Sequence, residues 1–144
     1  KQHDKALPLI EQVIANSPNE PSLYLLRGRL LRDQRKLREA ANSFYAAAKL
    51  KPDSAEAWSE LAAMLNSLEE YPTTLAALDR IRQLNAEQPG HLFLRAITLD
   101  RLKQQKPALE AYRQFLGVAG GKFPDQEFQS RQRARILEKE LSRR

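Results

Sequence analysis

The chain contains no cysteine, which excludes disulfides and thiolate metal sites. That absence suits a reducing cytoplasm and an exported protein equally, so it leaves the compartment open. No apolar run approaches the roughly 18 residues a helical membrane span needs, so no span is expected and the chain reads as soluble. Histidine is scarce: His3 and His91 stand far apart, without a second His or a carboxylate at ligand spacing and without an H-E-x-x-H pattern. Both read as surface residues, and no metal or cofactor is expected. The stretch from Gly117 to Gly121 follows a helical pattern and carries no G-K-[ST], so it reads as a helix stop, not a phosphate cradle. No Ser or Thr sits in a nucleophile elbow, and Glu69-Glu70 falls in a turn, where its charge is expected to be solvated. Catalytic residues are therefore expected to be none, and an enzyme is not expected. There is no signal-peptide pattern, but the first residue is Lys1 and not Met. The chain reads as an excerpt or a processed product, so the missing signal pattern leaves a leader open.

What is present is the composition of a soluble helical domain. Across 144 residues, 42% are hydrophobic and 29% charged, close to globular averages, which argues against general disorder. Twenty-four basic residues against 18 acidic ones give a net charge of +6. A modest excess spread along the chain reads as a solvated surface before it reads as a nucleic-acid footprint.

The organising feature is a period of 34 residues. Pro18 and Pro52 are one period apart, and between them lie Tyr24, Arg27-Gly28, Leu31, Ala40, Phe44 and Ala47. One period on, Tyr24 becomes Trp58 and then Leu92, Gly28 becomes Ala62 and then Ala96, and Leu31 becomes Leu65 and then Leu99. The second half keeps step: Ala40 maps to Thr74 and Ala108, Phe44 to Leu78 and Tyr112, and Ala47 to Ile81 and Phe115. One period back, Ala6, Ile10, Val13 and Pro18 hold the second-helix and closing positions, so the pattern opens halfway through a repeat. Pro8 fits that opening helix only in its first turn, which predicts a helix over about residues 6–16. Gly28 is unfavourable in a helix interior by roughly 1 kcal/mol, and the expected reason is close approach to the small Ala40. Ala86 replaces the closing proline of the second repeat, and Pro89 follows, which predicts a looser connection there.

A small residue, an apolar residue, an aromatic pair and a closing Pro at this period resemble the tetratricopeptide repeat family. The resemblance implies an all-α, right-handed α-solenoid of antiparallel helix pairs. It divides the chain into a second helix of a truncated repeat at 4–17, repeats at 21–52, 55–86 and 89–117, and a C-terminal capping helix at 124–143, all in one domain of 1–144. Arg27 and Arg95 stand where the family usually has Leu; packed stems with snorkelling guanidinium groups and arms reaching for a carboxylate are both open readings. The family lines its concave groove from the first helix of each repeat. Carried onto this chain, the groove residues are Leu25, Arg29 and Arg32, then Ser59 and Asn66, then Phe93, Ile97, Asp100 and Arg101. Leu25, Phe93 and Ile97 are expected to face solvent and want a cover, and Arg29 with Arg32 to grip a carboxylate of the ligand. The Lys and Asn carboxylate clamp of some members is not matched, since Arg29 stands where such a clamp has Asn and Asn66 stands alone.

After Gly117 the period is lost. Pro124, Asp125 and Glu127 suit a first turn, and Ser130, Ala134, Leu137 and Leu141 form one narrow stripe, as a capping helix requires. Phe128 and Ile136 lie off it, Phe128 placed to fold back on the turn and either one to meet a partner. The resulting expectation is a non-catalytic scaffold binding an extended peptide or helix of a partner protein. Self-assembly as a homo-oligomer through the N-terminal half-repeat is the alternative, and an RNA-binding helical repeat is disfavoured by the acids among the groove residues.

Overall fold

The computed structural model describes residues 2–144, with side chains from Lys5 onward, so the side chain of His3 lies outside the described residues. Eight α-helices and no strands are found among the described residues: α1 (Gln2–Asn16), α2 (Pro21–Asp33), α3 (Leu37–Leu50), α4 (Ala55–Ser67), α5 (Tyr71–Gln83), α6 (Pro89–Arg101), α7 (Gln105–Ala119) and α8 (Pro124–Ser142). They form two compact units, a first that ends at Leu84 and a second spanning Asn85–Arg144. In the first, each of α1 to α5 packs on its chain neighbour; in the second, α6 packs on α7 and α7 on α8. Short connections between successive helices force them antiparallel.

The 34-residue period reappears in the turns. Within each helix pair the connection is residues 34–36, 68–70 or 102–104. Its middle residue, Arg35, Glu69 or Lys103, is left-handed with φ of 63°, 59° or 60°. That conformation lets the N–H of Lys36, Glu70 and Gln104 reach back to the carbonyls of Leu31, Leu65 and Leu99 at 2.9, 2.9 and 3.0 Å, closing the helix end. Between pairs a second device repeats. The Tyr24 hydroxyl donates to the Pro18 carbonyl and the Trp58 Nε1–H to the Pro52 carbonyl, both at 2.8 Å. The polar tip of an otherwise apolar ring thus latches the closing proline. Ser54 accepts from the Ala57 N–H at 3.2 Å to cap α4. At the third repeat Leu92 and Ala86 replace donor and proline together. The connection lengthens to residues 84–88 with Asn85 left-handed at φ 57°, as the missing proline predicts. His91 caps α6 instead, its Nδ1 accepting the Gln88 N–H at 2.9 Å.

In the first unit the core runs through Leu25, Leu31, Ala40, Phe44, Ala47, Leu61 and Leu65, with Leu7, Tyr24 and Trp58 against it. Burying Phe44 completely contributes about 1.5–3 kcal/mol. Gly28 makes room for Phe44, and not for Ala40 as its size suggested: a Cβ there would sit 2.5 Å from the Phe44 ring. Helix α1 begins at Gln2, earlier than the sequence predicts, so Pro8 lies inside it, on its exposed side. Of the α1 stripe, Ile10 is buried, but Val13 stays 45% exposed and Leu9, outside the stripe, 62%.

In the second unit Tyr112, Phe115, Leu137 and Ala119 are fully enclosed. Phe115 meets Phe93 at 5.2 Å and Phe123 at 5.9 Å between ring centroids, both tilted. Phe128 does not fold back on the turn; Phe123 fills that place, and Phe128 remains 55% exposed. Helix α8 follows α7 as a first helix would. Ser130, one period after Ala96, is buried at the small-residue position, so the repeat outlasts its visible sequence signal.

Candidate functional site

On the first unit, α2 and α4 carry the sequence-designated residues along adjoining first helices, and their charges are already paired. Arg29 donates to Glu60 at 3.0 Å and to Glu56 at 2.5 Å, while Arg32 donates to both Glu60 oxygens at 3.1 and 3.2 Å. The carboxylates expected from a ligand therefore come from the chain itself. The hydrogen bond from Arg29 to Glu60, then that to Glu56, pushes the Arg29 guanidinium above its usual range, burial opposing only weakly. Glu60 was not among the expected groove residues. It lies within hydrogen-bond reach of Arg29 but 31 residues away in sequence, which explains why spacing could not flag it. Leu25 corrects the expectation of a solvent-facing anchor: it is buried among Leu31, Phe44 and Leu61. Ser59 and Asn66 are half-buried, and each is engaged with the chain's own groups.

On the second unit, Asp100 is the hub. Arg133 of α8 donates to both its oxygens at 2.8 Å, and the Tyr112 hydroxyl of α7 donates to one of them at 2.8 Å. Three helices thus meet on one carboxylate that is only 16% exposed. Burial pushes the Asp100 carboxyl up, but the hydrogen bonds from Arg133 and Tyr112 and the nearby Arg charges outweigh it and hold the group below the usual carboxylate range. Burial first, then Asp100, pushes the Tyr112 phenol far up. Phe93 is occupied by Phe115, Ile97 is half-buried, and Arg101 is exposed. Asp100 is thus a structural hub where the sequence suggested a ligand contact.

Other acids are spoken for as well. Glu70, expected to be solvated, pairs with Arg38. Arg27 reaches Glu11 of α1 at 2.6 Å, which selects the carboxylate-seeking reading for that residue. In the glycine turn, Gly120 and Gly121 have φ of 61° and 78°. The Gly121 and Phe123 N–H groups donate to Glu127 at 3.2 and 2.8 Å, so the turn's anion is a buried side chain of α8. No cluster of three or more His, Cys, Asp or Glu residues suited to a metal is found among the described residues, and no helix is long and apolar enough to cross a membrane. His91 is half-buried, and burial holds its imidazole below the usual range against the charge of Glu87. It serves as a cap, not as the plain surface residue expected.

Helix pairs repeating every 34 residues, with matched turns, latches and core positions, define the α-solenoid class of helical-repeat fold. The family profile described as Tetratricopeptide repeat matches residues 1–48 and 25–91, and the chain belongs to that family. Protein O-mannosyl-transferase TMTC1 of Homo sapiens is 32% identical over 88 residues, covering 58% of this chain and 10% of that protein. The counterpart from Mus musculus is also 32% identical over 88 residues, 58% of this chain and 9% of that protein. The chain thus spans about a tenth of the length of these curated relatives. Among solved structures, MamA aligns over 99% of this chain and 92% of its own with a TM-score of 0.75 at 20% identity. MamA of Desulfovibrio magneticus RS-1 aligns over 98% and 86% with a TM-score of 0.76 at 17% identity. YrrB, described as a TPR protein with an unusual peptide-binding site, aligns over 89% and 63% with a TM-score of 0.70 at 16% identity. These likenesses establish the fold.

Proposed function

We propose that the chain is a non-catalytic scaffold whose first-helix face on α2 and α4 binds an extended peptide or helix of a partner protein. The observation that carries this reading is the network of Arg29, Arg32, Glu56 and Glu60, which fixes four long charged side chains before any ligand arrives. Fixing them in advance lowers the entropy lost on binding. The same network sets the ligand's chemistry: a carboxylate must compete with Glu60 for two guanidinium groups, so a partner of mixed charge fits better than a single acidic terminus. YrrB, with the same fold, is described by its peptide-binding site, which agrees with this class. The test is a salt-titrated binding assay against an extended-peptide library and single-stranded RNA side by side. Peptide binding weakened by Arg29→Ala or Arg32→Ala supports the reading. RNA binding that dominates and falls steeply with salt overturns it.

One observation favours self-assembly as a second reading. Leu9 and Val13 occupy positions that are buried in every later repeat, as Ser43, Ala77 and Ala111 and as Ala47, Ile81 and Phe115. On α1 that side is open, and a second copy that covers it forms a closed dimer. Light scattering over a concentration series tests it: a mass that stays monomeric for both the parent chain and Leu9→Asp rejects it.

A further inference from the structure

The first unit holds a trough of about 460 Å³ between α3 and α5, floored by α4. The two second helices meet through α4, and the small side chains Ala41, Ala76 and Ala77 leave the space between them unfilled. Its floor is Leu61 and Leu65, and its walls include the rings of Tyr45 and Trp58. An apolar floor of this size takes one or two bulky side chains.

Charge at the rim is of one sign once internal pairs are removed. Arg38 is neutralised by Glu70. Arg80 lies over the Trp58 ring at 5.5 Å and donates to Gln83 at 3.1 Å and to the Pro52 carbonyl at 3.5 Å. Among the described residues no carboxylate pairs with it. Lys49, one turn along α3 from Tyr45 and just outside the lining, stands over the Tyr45 ring at 5.3 Å in the same condition. An aromatic-walled cavity flanked by two uncompensated cations is complementary to an acidic ligand with an apolar centre.

We propose that this trough is a docking site for an acidic segment of a partner protein that inserts one bulky apolar side chain between α3 and α5 and sets its carboxylates against Arg80 and Lys49. The proposal rests on the scaffold reading but uses a different surface from the α2–α4 face, so the two succeed or fail separately.

Trp58 is the chain's only tryptophan and lines the trough, so its emission reports occupancy directly. The probe is a capped hexapeptide of glutamates around one leucine and one phenylalanine. Its controls are the same peptide with lysines for glutamates and a short oligouridine. The expected result is a saturable change in Trp58 emission with the acidic peptide, weakened about tenfold by Ala76→Glu and several-fold by Arg80→Gln. Ala76 is exposed, so the first variant is expected to keep its helical circular dichroism, and a variant that loses it is replaced by Asn42→Glu at the same trough. Arg29→Ala is expected to leave the emission change intact. No saturation, equal response to the lysine peptide, stronger response to oligouridine, or indifference to both trough variants each overturns the proposal. Acidic-peptide binding abolished by Arg29→Ala alone overturns it while keeping the scaffold reading, and a rise in mass by light scattering on Trp58 emission change assigns the trough to a second copy and also overturns it.

Discussion

The two units join their first helices with the same chemistry in different surroundings. In the first, Arg29 and Arg32 of α2 share the part-buried Glu60 of α4, and Arg29 also holds the exposed Glu56. In the second, Arg133 of α8 meets Asp100 of α6 with both forks engaged, Tyr112 shares the carboxylate, and the acid is largely withdrawn from water. Glu60 keeps Arg29 if Arg32 is lost, at a cost of at most about 1 kcal/mol, whereas a part-buried carboxylate left without its paired cation is strongly unfavourable. One motif therefore serves as a surface in the first unit and as a joint in the second.

The largest effect expected is from Arg133→Ala. It leaves Asp100 buried with only Tyr112, and chemical denaturation should show a loss of about 2–4 kcal/mol. Arg32→Ala, its counterpart, should lose no more than about 1 kcal/mol; similar losses would break the contrast. The stability of the first unit lies in its apolar contact instead. Gly28→Ala drives a methyl into the Phe44 ring and should cost about 1–3 kcal/mol, read from the same denaturation curves. Acidity sharpens the comparison. Asp100 is held below the usual carboxylate range, so its contribution is complete above the unfolded carboxylate pKa and is lost as pH falls through the lower folded value. Asp100→Asn should flatten that acid limb in a pH series of melting temperatures. His91, also lowered, adds a separate loss as pH falls below the usual histidine range, which that variant should retain. Smallest are the turns, where the units should behave alike: Glu69→Gly and Lys103→Gly each relieve a left-handed side chain and should stabilise by up to about 1 kcal/mol.

The helices, their order and most of the core were legible in the sequence, because the period couples helix spacing to burial at six positions per repeat. The latch between Tyr24 or Trp58 and the closing prolines was visible only as a pattern, and its meaning needed the carbonyl geometry. The period also continued into α8 unseen, since Ser130 and Arg133 replace the usual Ala and Leu and carry no apolar signal. The candidate surface was less legible. Sequence placed Arg29 and Arg32 on one face, but Glu60 comes from the next repeat, and a pair formed across 28 residues or more leaves no local trace. The pairing of Asp100 was hidden for the same reason, its partner Arg133 lying 33 residues on. Leu25 failed because repeat position alone does not say how far α3 and α4 close over it.

The most direct test is to titrate Glu60→Ala and the parent chain with the same acidic and mixed-charge peptides, monitoring stability in parallel. If the α2–α4 face is a binding surface with Glu60 as its internal competitor, the variant should bind acidic peptides about tenfold more tightly while losing no more than about 1 kcal/mol of stability. Unchanged binding together with a large loss of stability would contradict the account, making this network a structural joint like that of Asp100.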